Sequence, residues 1–288
     1  KKNLAMVNGG LSTRISGLET AEAPVLVFVA GWPDNHDSWE YVAPRFSGSY
    51  KIVTLTMPGY STDADEPSLP RWGFSFNQIV EMMHISVTKV TSKPFVLVGH
   101  DWGSFISMLY LQKHSETVSK FIALDVGLMD VHEVNIKSAF VTVIYQATLA
   151  AAFVLTRLRL VVLAAALVAL YPWKWIGPCP YETKVPSGVK RWSKSWDHLT
   201  RDLLMCFIYF RFWHDLLTRS FKLPTSLDVP TLFLFGRNKR ARFHSNKFLR
   251  DLEACEDSSW QALDCGHFMQ ASDPDLVATA MEAFLAER

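Results

Sequence analysis

Five residues, Gly99-His100-Asp101-Trp102-Gly103, constrain this chain more than any other stretch. Before them runs Pro94-Phe95-Val96-Leu97-Val98, continuous and apolar, which the pattern assigns to a buried strand. After them, Ser104–His114 carries apolar residues at helical spacing. A strand that becomes a helix within so few residues must bend sharply between flanking glycines, and the central residue is pushed into a strained, exposed position. An aspartate stands at that centre.

The rest of the chain repeats the strand–helix rhythm. Leu4–Thr20 is patterned as an edge hairpin. Val25–Val29, Ile52–Leu55, Phe121–Leu124, Thr231–Phe235 and Trp260–Leu263 are apolar runs of strand length, with helical spacing over Phe76–Val90 and Ser245–Glu253. Such alternation predicts an α/β fold: a mostly parallel central sheet with helices on both faces, whose ligands bind at the carboxyl ends of the strands. Residues 129–226 break the rhythm with long apolar helical stretches, so an all-helical cap is expected there. The core then divides into residues 1–128 and 227–288. A chain of 288 residues is long enough for both parts. Within the insert, Ala139–Thr156 carries no charge and Leu160–Pro172 is almost as apolar, with Arg157 and Arg159 between them. Two charges at that point favour cap helices over membrane-spanning ones, while peripheral contact of segment 139–172 with a membrane or a protein complex stays open.

Composition narrows the partners. Lys+Arg total 29 against 28 Asp+Glu, with no basic run, which argues against nucleic acid. Cys179, Cys206, Cys255 and Cys265 show no C-x-x-C spacing and suit a reducing compartment better than a disulfide framework, so an intracellular location, cytoplasmic or organellar, is expected. Lys1-Lys2-Asn3 opens no signal-like apolar stretch, although a start without Met leaves a processed leader open. Ten Trp and 19 Phe fit an apolar pocket or a large core equally well.

Three further strings lie where strands end. Gly31-Trp32-Pro33-Asp34 follows the first central strand, Pro58-Gly59-Tyr60-Ser61 the next, and Gly266-His267-Phe268 the last. The middle string reads equally well as a plain turn; with the Gly-flanked aspartate, the other two carry a resemblance. Over Val25–Trp39, Phe95–Met129 and Val229–Leu285, the chain resembles the epoxide hydrolase and haloalkane dehalogenase branch of the α/β-hydrolases. That resemblance implies the α/β-hydrolase fold, with Asp101 as a nucleophile that displaces at a saturated carbon and becomes an alkyl ester. It also implies an oxyanion hole from the Trp32 and Trp102 amides, with His267 as the base that activates water. No metal or organic cofactor is implied, and the partner is a small hydrophobic substrate.

The chain also departs from that pattern. The acid that orients the histidine usually follows the glycine of the penultimate strand, and Gly236-Arg237-Asn238-Lys239 puts a lysine there. Asp125, ending the Phe121–Leu124 strand, matches the position from which some dehalogenases draw their acid. Asp130 is a weaker candidate, and Asp264 sits too near His267 in sequence. Tyr145-Gln146 resembles the first cap tyrosine pair of epoxide hydrolases, and Tyr209 could be the second, the two activating the substrate oxygen. Trp32 stands where dehalogenases commonly place an Asn donor for the halide. Together these favour opening of a hydrophobic epoxide. Haloalkane dehalogenation is the alternative, and a catalytically weak or dead subunit of a membrane-associated assembly is a third, motivated by Lys239 and segment 139–172.

Overall fold

The computed structural model describes residues 3–4, 9–61, 69–133, 136–173 and 196–286. Eight strands form one sheet: β1 (Asn3–Leu4), β2 (Ser12–Gly17), β3 (Val25–Val29), β4 (Lys51–Thr56), β5 (Phe95–His100), β6 (Val118–Leu124), β7 (Thr231–Gly236) and β8 (Ser259–Leu263). Their order is β1-β2-β4-β3-β5-β6-β7-β8. The β1–β2 and β2–β4 pairs are antiparallel, and the expected edge hairpin is the β1–β2 pair. From β4 to β8 all pairing is parallel.

Strand side chains alternate between two cores. Val25, Val27 and Val29 of β3 point to one face with Leu55, Leu97 and Phe121. Leu26 and Phe28 point to the other with Val98, Ile122 and Leu234. Both faces are therefore buried, as parallel strands require. Helices α1 (Phe76–Thr88) and α2 (Trp102–His114) cover the first face, and α1 starts at a Ser75–Gln78 capping box. The 3₁₀ turns around Trp39 and Phe46 cover the second, with α8 (Met269–Ser272) and α9 (Pro274–Ala286).

Between β6 and β7 the described residues hold helices and no strand. Beyond a short 3₁₀ turn lie α3 (Ile136–Arg157), α4 (Val161–Leu170), α5 (Trp196–Met205) and α6 (Phe207–Leu217). Helix α7 (Asn246–Glu253) then links β7 to β8. Helices α3 and α4 pack on one another across the turn Leu158-Arg159-Leu160, where Arg159 takes a φ of 65°. On its other side α3 packs against α6, with Phe153 wedged against Phe207 and Phe210. The Pro58–Ser61 turn is more than a connector, because the buried Tyr60 hydroxyl donates to the Met205 carbonyl at 2.8 Å and ties the sheet to the end of α5.

Candidate active site

Asp101 caps α2 with φ 54° and ψ −125°, a conformation that L-residues avoid. The surrounding backbone over-determines it. A Cβ on Gly103 would run into the Val29 carbonyl, so the helix can press against β3 only with glycine there. A Cβ on Gly31 would come within 2.6 Å of the Asp101 Cβ and Oδ2, so that glycine leaves room for the carboxylate itself. The helix start at Trp102, two residues before the apolar spacing begins, follows from the same bend.

Each oxygen of Asp101 has a separate partner. The Trp32 amide donates to Oδ2 at 2.9 Å. The His267 Nε2 lies 3.4 Å from Oδ1. Trp102 is the first residue of α2, where main-chain N–H groups have no partner within the helix. Behind the ring, His267 Nδ1 pairs with Asp125 Oδ2. Asp125 is wholly buried at the end of β6, with φ 68°, and its own amide donates to the Leu234 carbonyl. Asp130 instead accepts from the His132 amide, and Asp264 forms an exposed ion pair with Arg237.

Lys239 does not break this arrangement; it joins it. Its ammonium, with a side chain only 3% exposed, pairs with Asp125 Oδ1, which also accepts from the Gly236 amide at 3.1 Å. The lysine lies over the Phe243 ring, and Phe243 packs edge-on to His267. One buried carboxylate thus serves two cationic groups.

The electrostatics follow from these contacts. Burial alone would push the His267 ring toward its neutral form, but Asp125 and Asp101 outweigh it and raise the pKa to about 10. Burial would likewise raise Asp125, but Lys239 and His267 hold it well below the usual carboxylate range. His100 is lowered to about 4 by burial and by the neighbouring His267. Its Nε2 donates to the His267 carbonyl at 2.9 Å, so its Nδ1 accepts from the Gln270 amide at 3.0 Å. This neutral imidazole fixes the loop that carries His267. His244 is lowered to about 3 by burial and Lys239; its ring packs on Phe233 and Phe235, and neither nitrogen has a hydrogen-bond partner among the described residues.

Over Asp101 the helical segment brings two phenols together. Tyr145 of α3 and Tyr209 of α6 are both buried, with ring centroids 5.9 Å apart. Tyr209 packs edge-on against Trp32 and Trp102 at 5.2 and 5.3 Å. Burial, with smaller contributions from Tyr145 and Asp101, holds the Tyr209 hydroxyl well above its ordinary pKa, so it stays protonated. The Gln146 amide donates to the Tyr145 hydroxyl at 3.4 Å. All seven residues expected at the site from sequence therefore lie in one neighbourhood. The partnership of Lys239 with Asp125 was not expected, nor were the supporting roles of His100 and Gln270. Among the described residues no cluster of three or more His, Cys, Asp or Glu could hold a metal ion.

Known proteins agree with this architecture. Residues 24–274 match the family model for the alpha/beta hydrolase fold. Human epoxide hydrolase 4 is 28% identical over 102 residues, which cover 35% of this chain and 28% of that protein. Epoxide hydrolase 3 of Xenopus tropicalis is 26% identical over 102 residues, 35% of this chain and 27% of its own. The matched stretch thus spans little more than a quarter of either relative. Among solved structures, one described as a novel epoxide hydrolase of the alpha/beta hydrolases superfamily, from metagenomes of hot environments, superposes with a TM-score of 0.69. It covers 100% of this chain and 99% of that one at 19% identity. The family model matches most of the chain, and the sheet order, the helices on both faces and the strand-to-helix bend at Asp101 agree with it. The chain belongs to the alpha/beta hydrolase fold family.

Proposed function

We propose that this chain is a cofactor-independent epoxide hydrolase that opens a hydrophobic epoxide through an ester between the substrate and Asp101. One observation carries the reading. The Asp101 carboxylate stands between the Trp32 amide on one oxygen and the His267 ring on the other, with Asp125 behind that ring.

In the first step Asp101 Oδ1 attacks an epoxide carbon and the ring C–O bond breaks. The departing alkoxide needs a proton, which Tyr145 or Tyr209 donates. In the second step water attacks the ester carbonyl carbon as His267 takes its proton, and the Trp32 and Trp102 amides hold the oxyanion. Each such donor is worth about 3–4 kcal/mol. Collapse breaks the ester C–O bond, His267 handing that proton to the departing diol oxygen. His267 must be neutral to take the proton from that water, although in the resting site it is held cationic. Esterification resolves this, because it removes the Asp101 charge that helps to hold the proton. The imidazolium then returns a proton to the tyrosinate, and the proton count closes before water attacks. Helices α3 to α6 act as a cap whose buried face, lined by aromatic side chains, suits a lipid-like or aromatic epoxide and neither a sugar nor nucleic acid. An intracellular location, cytoplasmic or organellar, fits the free thiols of Cys206, Cys255 and Cys265.

A haloalkane is served less well. A departing halide needs N–H donors alone, whereas the two phenols gathered beside Trp102 are better suited to protonating an alkoxide. The Lys239 pair favours a slower hydrolytic step over a dead site, since His267 keeps both of its carboxylates. Incubation of His267→Gln with an epoxide panel tests the reading by intact mass. An adduct of substrate mass on Asp101 is expected, and no adduct with any aryl or long-chain epoxide would contradict it.

A further inference from the structure

The outer face of the α3–α4 pair is the reverse of an ordinary surface helix, which turns its polar side to water. Between Lys137 and Arg157 every exposed residue of α3 is apolar, and the same holds for the whole of α4. Ile136, Phe140 and Val143 on α3, with Val162, Leu163 and Leu170 on α4, are 46–84% exposed. Along α3 the exposed positions recur at three- and four-residue steps, so they form one stripe rather than scattered residues. A contiguous apolar face of this kind marks a docking surface.

We propose that this face docks on the surface of a bilayer containing anionic lipid, with both helices lying in the interface. The charges select the occupant. From Ile136 to Trp173 the chain has no Asp or Glu, while Lys137, Arg157 and the exposed Arg159 mark the two ends of α3. A second copy of the chain packed on this face by two-fold symmetry would meet the same cations and no carboxylate within it. Anionic headgroups supply the missing charge at the edge of the apolar stripe.

The packing selects the mode. Helix α3, at 22 residues, is long and apolar enough to cross a membrane. Its opposite face, however, buries Tyr145, Leu149 and Phe153 against the rest of the protein, with Tyr145 beside Tyr209 and Phe153 beside Phe210. Spanning would strip those contacts, whereas lying flat keeps them. The two faces of α3 therefore have separate duties, one toward lipid and one toward Asp101. A sparingly soluble substrate dissolved in the bilayer would reach the site from the face that touches it.

Flotation of the full chain with vesicles tests this. The wild type should float with phosphatidylcholine vesicles containing phosphatidylglycerol. It should float poorly with phosphatidylcholine alone and release at high salt. The double variant Val162→Asp/Leu163→Asp should lower the floated fraction roughly tenfold, and Arg159→Glu should lower it on anionic vesicles only. Circular dichroism of each variant should match the wild type, and Phe140→Glu probes the same face from α3 should the double variant misfold. Failure of the wild type to float with anionic vesicles at low salt overturns the proposal, as does flotation that none of these variants reduces. A dimer in sedimentation that Val162→Asp/Leu163→Asp splits without changing flotation would assign the face to a second copy and overturn it as well. These readouts do not depend on epoxide turnover, so they stand apart from the catalytic reading.

Discussion

Asp125 divides its two oxygens between two cationic groups, Lys239 on Oδ1 and His267 on Oδ2. An imidazolium formed during ester hydrolysis draws on Asp125 for stabilisation, and the nearby ammonium offsets part of it. Replacing Lys239 with Met keeps the stem and removes the charge. Hydrolysis of the alkyl-enzyme should then speed up about tenfold, the equivalent of one pKa unit on the base. Opening a buried pair should cost about 3 kcal/mol of stability. Single-turnover kinetics beside urea melts would check both, and slower hydrolysis would mean that Lys239 is needed to hold Asp125 in place. Asp101 and His267 were legible in the sequence because each sits in a short string at the end of an apolar run. The lysine was legible only as a misfit. Its pairing with Asp125 depends on β6 and β7 being neighbours, with Leu124 opposite Leu234, and no local pattern encodes that adjacency.

Helices α3 and α6 are far apart in sequence, yet they bring Tyr145 and Tyr209 to within 5.9 Å between ring centroids. If these phenols protonate the alkoxide, Tyr145→Phe and Tyr209→Phe should each slow ring opening by about 100-fold, the low end for general-acid catalysis. Hydrolysis of an ester already formed should be unchanged. A rapid-quench assay separates the two steps, and equal loss in both would assign the tyrosines to structure alone. The tyrosine positions could be proposed only because Tyr145-Gln146 resembles the cap tyrosine pair of epoxide hydrolases, with Tyr209 offered as its second member. Strands were legible from pattern alone, since a fully buried parallel strand is a short unbroken apolar run. The outward face of α3 was not. A helix apolar on every side gives no periodic signal to tell the buried stripe from the exposed one.

Across the whole molecule, three buried histidines shape stability against pH. The folded state raises His267 to about 10 from its ordinary 6.5, so its contribution is complete below about 6.5 and is lost as pH rises through 10. His100 and His244 are lowered to about 4 and about 3, so their contributions are present above 6.5 and fade as pH falls toward those values. Stability should therefore peak near neutral pH. Urea denaturation from pH 5 to 10, as about half-unit steps, would show it, and His267→Gln should remove much of the alkaline decline. The central claim, that Asp101 itself joins the substrate, is tested most directly by one turnover of excess enzyme on an epoxide in heavy-oxygen water. The account predicts that the label enters the Asp101 carboxylate, found by peptide mass, while the first diol carries no label. Label in the first diol with none in the peptide would mean that water attacks the epoxide directly, and would contradict it.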